Sequence, residues 1–238
     1  MMEAVGYGLL EPGSRRRVAH YVYEYIVGRN LSVVRRLCGE EVEASINVVD
    51  AAKARLYVVP APPILTPQKF TNYIMLRLSK PLAVFPKTSR SLYTVLRVNV
   101  ALVADSGGQS IVLDAIPLGR QRYALYGQPD RGLIAAYQFV RLLDYVPACD
   151  WQAVLNIRVV NSIGSPVKLE RIVIPAYMIK FYYRGSKVVT SPVKVTIVSR
   201  DVAQVEGVKW QPPKGYVEAP KLATAPSLAT RFLMEYGL

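Results

Sequence analysis

The chain reads as all-β: an antiparallel, β-sandwich-like fold of two packed sandwich units, with a Pro-rich C-terminal arm and a short terminal helix. Three observations predict it. Apolar and polar residues alternate with period two along most of the chain, the pattern of strands with one buried face. Clusters of Gly, Asn, Asp and Pro punctuate these runs roughly every ten residues, as sandwich hairpins require. Stretches with helical period are scarce.

The elements follow in order. Tyr21, Tyr23 and Tyr25 share one strand face, and Gly28-Arg29-Asn30 turns the chain into Leu31 to Cys38. Extended runs at Val42 to Val49 and Ala54 to Val59 complete a first small sheet, with a helical turn as the alternative between Glu40 and Ala54. Pro60, Pro62, Pro63 and Pro67 interrupt it, since proline cannot donate to a ladder. In Asn72 to Leu78, Ile74, Leu76 and Leu78 oppose Tyr73, Met75 and Arg77. A turn is expected at Ser79-Lys80-Pro81, then one long strand over Leu92 to Val103. Asp105-Ser106-Gly107-Gly108 is a hairpin signal with Ile111 to Ile116 returning. Leu133 to Leu143 is too short and apolar for periodicity to choose between strand and helix. Leu155 to Val159 and Val167 to Ile174 alternate, and Tyr177 to Tyr183 pairs with Val188 to Val198 around Arg184-Gly185-Ser186.

These runs divide into units at 1–150 and 151–206, a single larger sandwich being the alternative because no flexible linker separates them. From 207 to 238 Trp210, Pro212, Pro213, Pro220 and Pro226 describe an extended arm. Its end, capped by Ser227, suits a short helix with Leu228, Phe232 and Tyr236 on one side. Such a helix needs a surface to pack on. Trp210, Leu228, Phe232 and Tyr236 are therefore the candidates for docking a partner protein, a second copy or the chain's own body.

Scarce residues restrict the chemistry. The 238 residues include one histidine, His20, and two cysteines, Cys38 and Cys149. No C-x-x-C or H-E-x-x-H occurs, so no metal site is expected. His20, on the face of Val22, Glu24 and Ile26, is the only imidazole to serve a nucleophile, and it reads as an ordinary strand residue. The cysteines read as buried free thiols, a disulfide being the alternative for a hyperthermophile. Neither G-x-G-x-x-G, a P-loop nor G-x-S-x-G is present, and no cofactor is expected. Glycoside hydrolysis needs only two carboxylates, with Asp114, Asp130, Asp144 and Asp150 as candidates, though nothing pairs any two. Apolar residues at 51% and charged ones at 20% exclude a disordered chain. The apolar runs are too short for a membrane span of about 20 residues, and Met1 to Gly6 lacks a secretory pattern, so a cytoplasmic protein is expected.

Thr71-Asn72-Tyr73-Ile74-Met75-Leu76-Arg77-Leu78-Ser79-Lys80-Pro81-Leu82-Ala83-Val84, Tyr123-Ala124-Leu125-Tyr126-Gly127-Gln128-Pro129-Asp130-Arg131-Gly132 and Pro175-Ala176-Tyr177-Met178-Ile179-Lys180-Phe181-Tyr182-Tyr183 resemble an archaeal family, domain of unknown function 432. The resemblance covers roughly residues 55–205 and implies an archaeal intracellular protein without supplying a mechanism. Where it leads one to expect a basic residue beside the aromatic of the next strand, this chain has Ala135-Ala136-Tyr137-Gln138-Phe139.

Lys and Arg number 30 against 17 acidic residues, a net charge of +13. Such a charge favours nucleic acid, anionic headgroups at a membrane surface or acidic proteins as partners. Arg15-Arg16-Arg17 and Arg35-Arg36 are two basic clusters. Arg120, Arg122 and Arg131 flank Tyr123 and Tyr126 in a Gly- and Pro-containing loop, a combination that suits phosphate contacts and base stacking. Arginine-rich surfaces also occur as solvated faces of heat-adapted proteins. The first functional expectation is a non-catalytic protein-interaction module using sheet edges and the arm. The second is a polyanion binder through residues 120–131, and the third a carbohydrate-binding sandwich or histidine-independent glycosidase.

Overall fold

The structure, a computed structural model, describes residues 2–49, 53–66, 68–222 and 231–238. Among the described residues almost every complete element is a strand, with one turn of 3-10 helix at Ala176–Met178. Among the described residues no helix is long and apolar enough to cross a membrane.

The first sheet runs Glu3–Val5, Arg15–Val18, Tyr21–Ile26, Leu31–Cys38 and Glu41–Val49. Its middle strand buries Tyr21, Val22, Tyr23, Glu24 and Tyr25 in succession, so it is covered on both faces. Arg15 answers the buried Glu24 carboxylate through two nitrogens at 3.0 and 2.7 Å. His20 is not a strand residue as expected. It occupies the two-residue turn between Val18 and Tyr21 with Ala19 at φ 54°, because the ladder closes at Val18 opposite Tyr21. The Arg55–Ala61 run leaves this sheet for a second one, ordered Gln109–Pro117, Asn99–Ser106, Arg55–Ala61 and Gly8–Leu9.

A third sheet orders Tyr123–Tyr126, Leu133–Val140, Tyr73–Val84 and Val167–Pro175. Here the expected turn at Ser79-Lys80-Pro81 is a bulge within one twelve-residue strand, marked by the register shift between Arg77 and Leu82. The bulge takes Pro81 out of the ladder with Val167–Pro175, so its missing N–H costs no pairing there. In the largest sheet, Ala153–Asn161 pairs along its whole length with Ser89–Leu96. Its other edge takes Lys187–Thr190 and then Val193–Ile197, both parallel, with Ser191 and Pro192 between them. The strand expected over Leu92 to Val103 is also two strands. The chain leaves Ser89–Leu96 at Arg97 and Val98 and enters the second sheet at Asn99.

Among the described residues the expected terminal helix does not appear. Arg231–Met234 is a strand paired with Ala203–Gly207, and Val217–Glu218 pairs with Tyr182 and Tyr183. Four residues carry too little periodicity to separate helix from strand, and an open sheet edge decides the matter. Ser227 and Leu228 lie outside the described residues.

The Tyr73–Val84 to Val167–Pro175 and Ser89–Leu96 to Ala153–Asn161 ladders both join residues on opposite sides of position 150. The buried side chains of all four large sheets form one cluster, including Val18, Val58, Leu76, Leu102, Leu155 and Val195. Cys38 and Cys149 are free thiols, each half-buried.

An ionic group joins the first two sheets. Arg36 Nε donates to Asp114 Oδ2 at 2.8 Å and Arg36 Nη1 to Glu43 Oε2 at 2.6 Å. Tyr23 donates its hydroxyl to the same Asp114 oxygen at 3.3 Å, and the Arg36 guanidinium lies 5.6 Å above the Tyr21 ring. Asp114 is thus an ion-pair anchor between sheets. Asp114→Ala strands a buried phenol and one face of a guanidinium, and should cost about 2–3 kcal/mol in urea unfolding. Tyr7 has a buried hydroxyl with no hydrogen-bond partner among the described residues, so Tyr7→Phe should be neutral or slightly stabilising in the same assay.

Burial pushes the phenols of Tyr7, Tyr23, Tyr126 and Tyr183 above the ordinary tyrosine range. The folded protein holds these protons where the unfolded chain, with phenols near about pH 10, loses them. Their contribution is complete below about pH 10 and is lost as pH rises beyond it. Thermal unfolding followed with tyrosinate absorbance should show a flat Tm up to that point and a fall above it, with these four ionising only on unfolding. Ionisation of all the tyrosines in the intact fold would contradict it.

Candidate functional site

The loop singled out by its arginines belongs to a hairpin. Tyr123–Tyr126 pairs with Leu133–Val140, with Tyr123 opposite Ala136 and Tyr126 opposite Leu133. Gly127 at φ 112° opens the turn, and a Cβ there would come within 2.7 Å of the Tyr236 ring, so only glycine fits. The turn closes with Gly132 N donating to Gln128 O at 2.6 Å.

The hairpin separates the five residues expected to act together. Arg131 sits in the turn, its solvated side chain beside Asp130 at 3.4 Å. Arg120 and Arg122 lie beyond the other end of Tyr123–Tyr126, about four residues or roughly 13 Å of strand away. Tyr126 is a core residue at 1% exposure, so its ring cannot stack on a base. Its hydroxyl donates to Gly237 O and accepts from Tyr236 N, both at 3.1 Å. Arg171 covers its ring at 6.0 Å. Tyr123 alone stays partly exposed, with its ring 4.6 Å from Phe70.

Arg120 and Arg122 instead meet Arg97, a residue the sequence did not single out. The break between Ser89–Leu96 and Asn99–Ser106 places Arg97 at a corner between sheets, where its Nη1 donates to Arg120 O at 3.3 Å. Arg122 is held by Tyr137 N, which donates to its carbonyl at 2.8 Å. Behind the corner is Gln138, Oε1 of which accepts from Arg97 N at 3.0 Å. Together they line a narrow pocket of about 30 Å³. The pocket shares Arg97, Val98, Leu118, Gly119, Arg120 and Arg122 with a wider cleft of about 470 Å³. Asp150 and Trp151 form the far wall of that cleft. A hydrogen bond from Ser186 and the ammonium of Lys187, 3.1 Å away, hold the Asp150 carboxyl below the usual carboxylate range. Asp150 is therefore a fixed negative charge at neutral pH and not a proton donor.

Apolar side chains continue from the cleft along the same face of the hairpin. Leu125 and Ile134 are directly opposite one another, and both are exposed, as is Phe70. Tyr123 opposes Ala136, which also lines the pocket. The row follows Tyr123–Tyr126, an outer strand of its sheet. Among the described strands only Leu133–Val140 pairs with it.

The residues expected to dock a partner from the arm make contacts within the chain. Trp210 stands edge-on to Tyr182 at 5.7 Å, Phe232 lies 5.3 Å from Tyr73, and Tyr236 meets Tyr126 at 5.6 Å. Leu228 lies outside the described residues. His20 is exposed, its ring 4.0 Å from that of Tyr21. Among the described residues no three His, Cys, Asp or Glu side chains gather to hold a metal ion.

The model of the family described as "Protein of unknown function (DUF432)" matches residues 14–235, well beyond the span of the resemblance seen in the sequence. No curated protein and no solved structure matches. The matched span includes Arg231–Met234, which carries the fully buried Met234. Met234→Ala should lower stability by about 2–4 kcal/mol in urea unfolding and free the neighbouring strand. Faster hydrogen exchange at Ala203–Gly207 would report that release.

Proposed function

The chain belongs to this DUF432 family of unknown function, and we propose that it is a non-catalytic interaction module for an extended, acidic protein segment. One observation carries the reading: an exposed apolar row along the outermost described strand of a sheet ends at three arginines without carboxylate partners among the described residues. Strand addition supplies main-chain hydrogen bonds, alternate apolar side chains of the partner find Leu125, Ile134 and Phe70, and acidic ones meet Arg120 and Arg122. A net charge of +13 steers such a partner. The sheet edge rather than the arm is the working surface, since Phe232 and Tyr236 are engaged by the body.

Fluorescence anisotropy with a labelled peptide of alternating Glu and Leu, beside a labelled single-stranded oligonucleotide, tests the reading. Peptide binding should weaken at least tenfold in Leu125→Ser/Ile134→Ser and again in Arg120→Ala/Arg122→Ala. Tighter oligonucleotide binding that depends steeply on salt and ignores Leu125 and Ile134 would replace it with a polyanion function. Binding of neither probe, with a salt-independent monomer mass by light scattering, would remove the interaction reading.

A further inference from the structure

We infer that the narrow pocket beside Gln138 binds the carboxylate group of a small organic acid. Gln138 is 6% exposed, and its amide orientation is fixed. Oε1 accepts the Arg97 N–H, and a flipped amide would set donor against donor. Gln138 lines the pocket, and its buried NH2 group has no acceptor among the described residues. A buried amide donor left unpaired is costly, so its surroundings call for an oxygen.

The neighbouring polar groups make the same demand. Arg97, Arg120 and Arg122 have no carboxylate partner among the described residues. The other two side-chain amides at the pocket are spent on backbone carbonyls, Gln121 on Pro63 O and Asn99 on Leu65 O. The occupant must therefore bring acceptors and negative charge. Size selects the class. About 30 Å³ holds roughly two water-sized groups, which suits the two oxygens of a carboxylate better than the four of a phosphate. Guanidinium groups present a planar fork that matches a carboxylate. The body of the acid extends into the 470 Å³ cleft, where Leu118 and Trp151 offer apolar walls. The site shares Arg120 and Arg122 with the proposed partner surface, but it stands on Gln138 and the Arg97 corner and does not depend on that reading.

Thermal unfolding and calorimetry with benzoate, acetate and inorganic phosphate, balanced by chloride at constant ionic strength, test it. Benzoate should raise Tm saturably, acetate should do so more weakly, and phosphate should bind at least tenfold less tightly than benzoate. Gln138→Glu keeps the acceptor for Arg97 N–H and puts a resident carboxylate beside the arginines. It should raise Tm without ligand and abolish the benzoate response. Arg97→Met, which leaves the backbone bond intact, should weaken benzoate at least tenfold and decides the question if the glutamate variant fails to fold. An unchanged benzoate response in the variant that folds, or phosphate matching benzoate, would overturn the inference. Neither variant touches Leu125 or Ile134, so this result separates from that of the peptide experiment.

Discussion

The parallel ladder between Tyr73–Val84 and Leu133–Val140 is the constraint on which the site depends. It sets Leu76 opposite Gln138 and places Ile74, Leu76, Ala135 and Ala136 in the core. Parallel neighbours cannot be joined by a tight turn, so the chain between them must travel. Here it passes through Ser89–Leu96, Asn99–Ser106 and Gln109–Pro117 before returning. That excursion brings the Arg97 corner and the Gly119 to Arg122 segment against the end of the ladder. Gln138 then fastens the corner by accepting Arg97 N–H. The arginines converge because a strand that cannot close locally carries them there.

Burial of polar groups elsewhere follows a different logic. Asp114, Arg36 and Tyr23 satisfy one another across two sheets, and Glu24 is held by Arg15. Asn161 uses both ends of its amide, donating to Val84 O at 2.9 Å and Ser165 O at 3.0 Å and accepting from Ile163 N at 3.0 Å. These groups fix how sheets and loops meet. Gln138 resembles Asn161 in residue class and burial but has a donor to spare beside a cleft. The contrast within one chain separates an amide that completes the fold from one with a donor left over, on which the proposed anion site rests.

Much of the fold was legible because alternation is a local property. Ile74, Leu76 and Leu78, the glycines of Asp105 to Gly108, and Leu155, Ile157 and Val159 announce their strands without reference to a partner. What was illegible depends on partners. The Leu96 to Asn99 corner is invisible to alternation, since apolar residues continue through it into another sheet. Pro81 signals a turn, yet pairing with Val167–Pro175 holds it as a bulge. Arg231–Met234 becomes a strand only because Ala203–Gly207 offers an edge. At the site, Arg120 and Arg122 were found by composition, and the same argument wrongly added Tyr126, whose ring the C-terminal residues cover. Arg97 was hidden inside an alternating run. The one local signal for Gln138 was an amide between Tyr137 and Phe139 in an otherwise apolar strand.

The groups that line the cleft are those of an anion-binding surface. The three arginines and the Gln138 amide can neutralise and orient an anion. General acid–base work needs a group able to change protonation near neutral pH. Asp150, the carboxylate of the cleft wall, is held ionised by Ser186 and Lys187. Asp114, a formal candidate for such work, is tied up with Arg36 and Tyr23 in a network whose removal would loosen two sheets. On the proposed reading such a surface gains selectivity from shape and charge, the apolar row selecting side chains of the right spacing and the arginine corner the charge at their end.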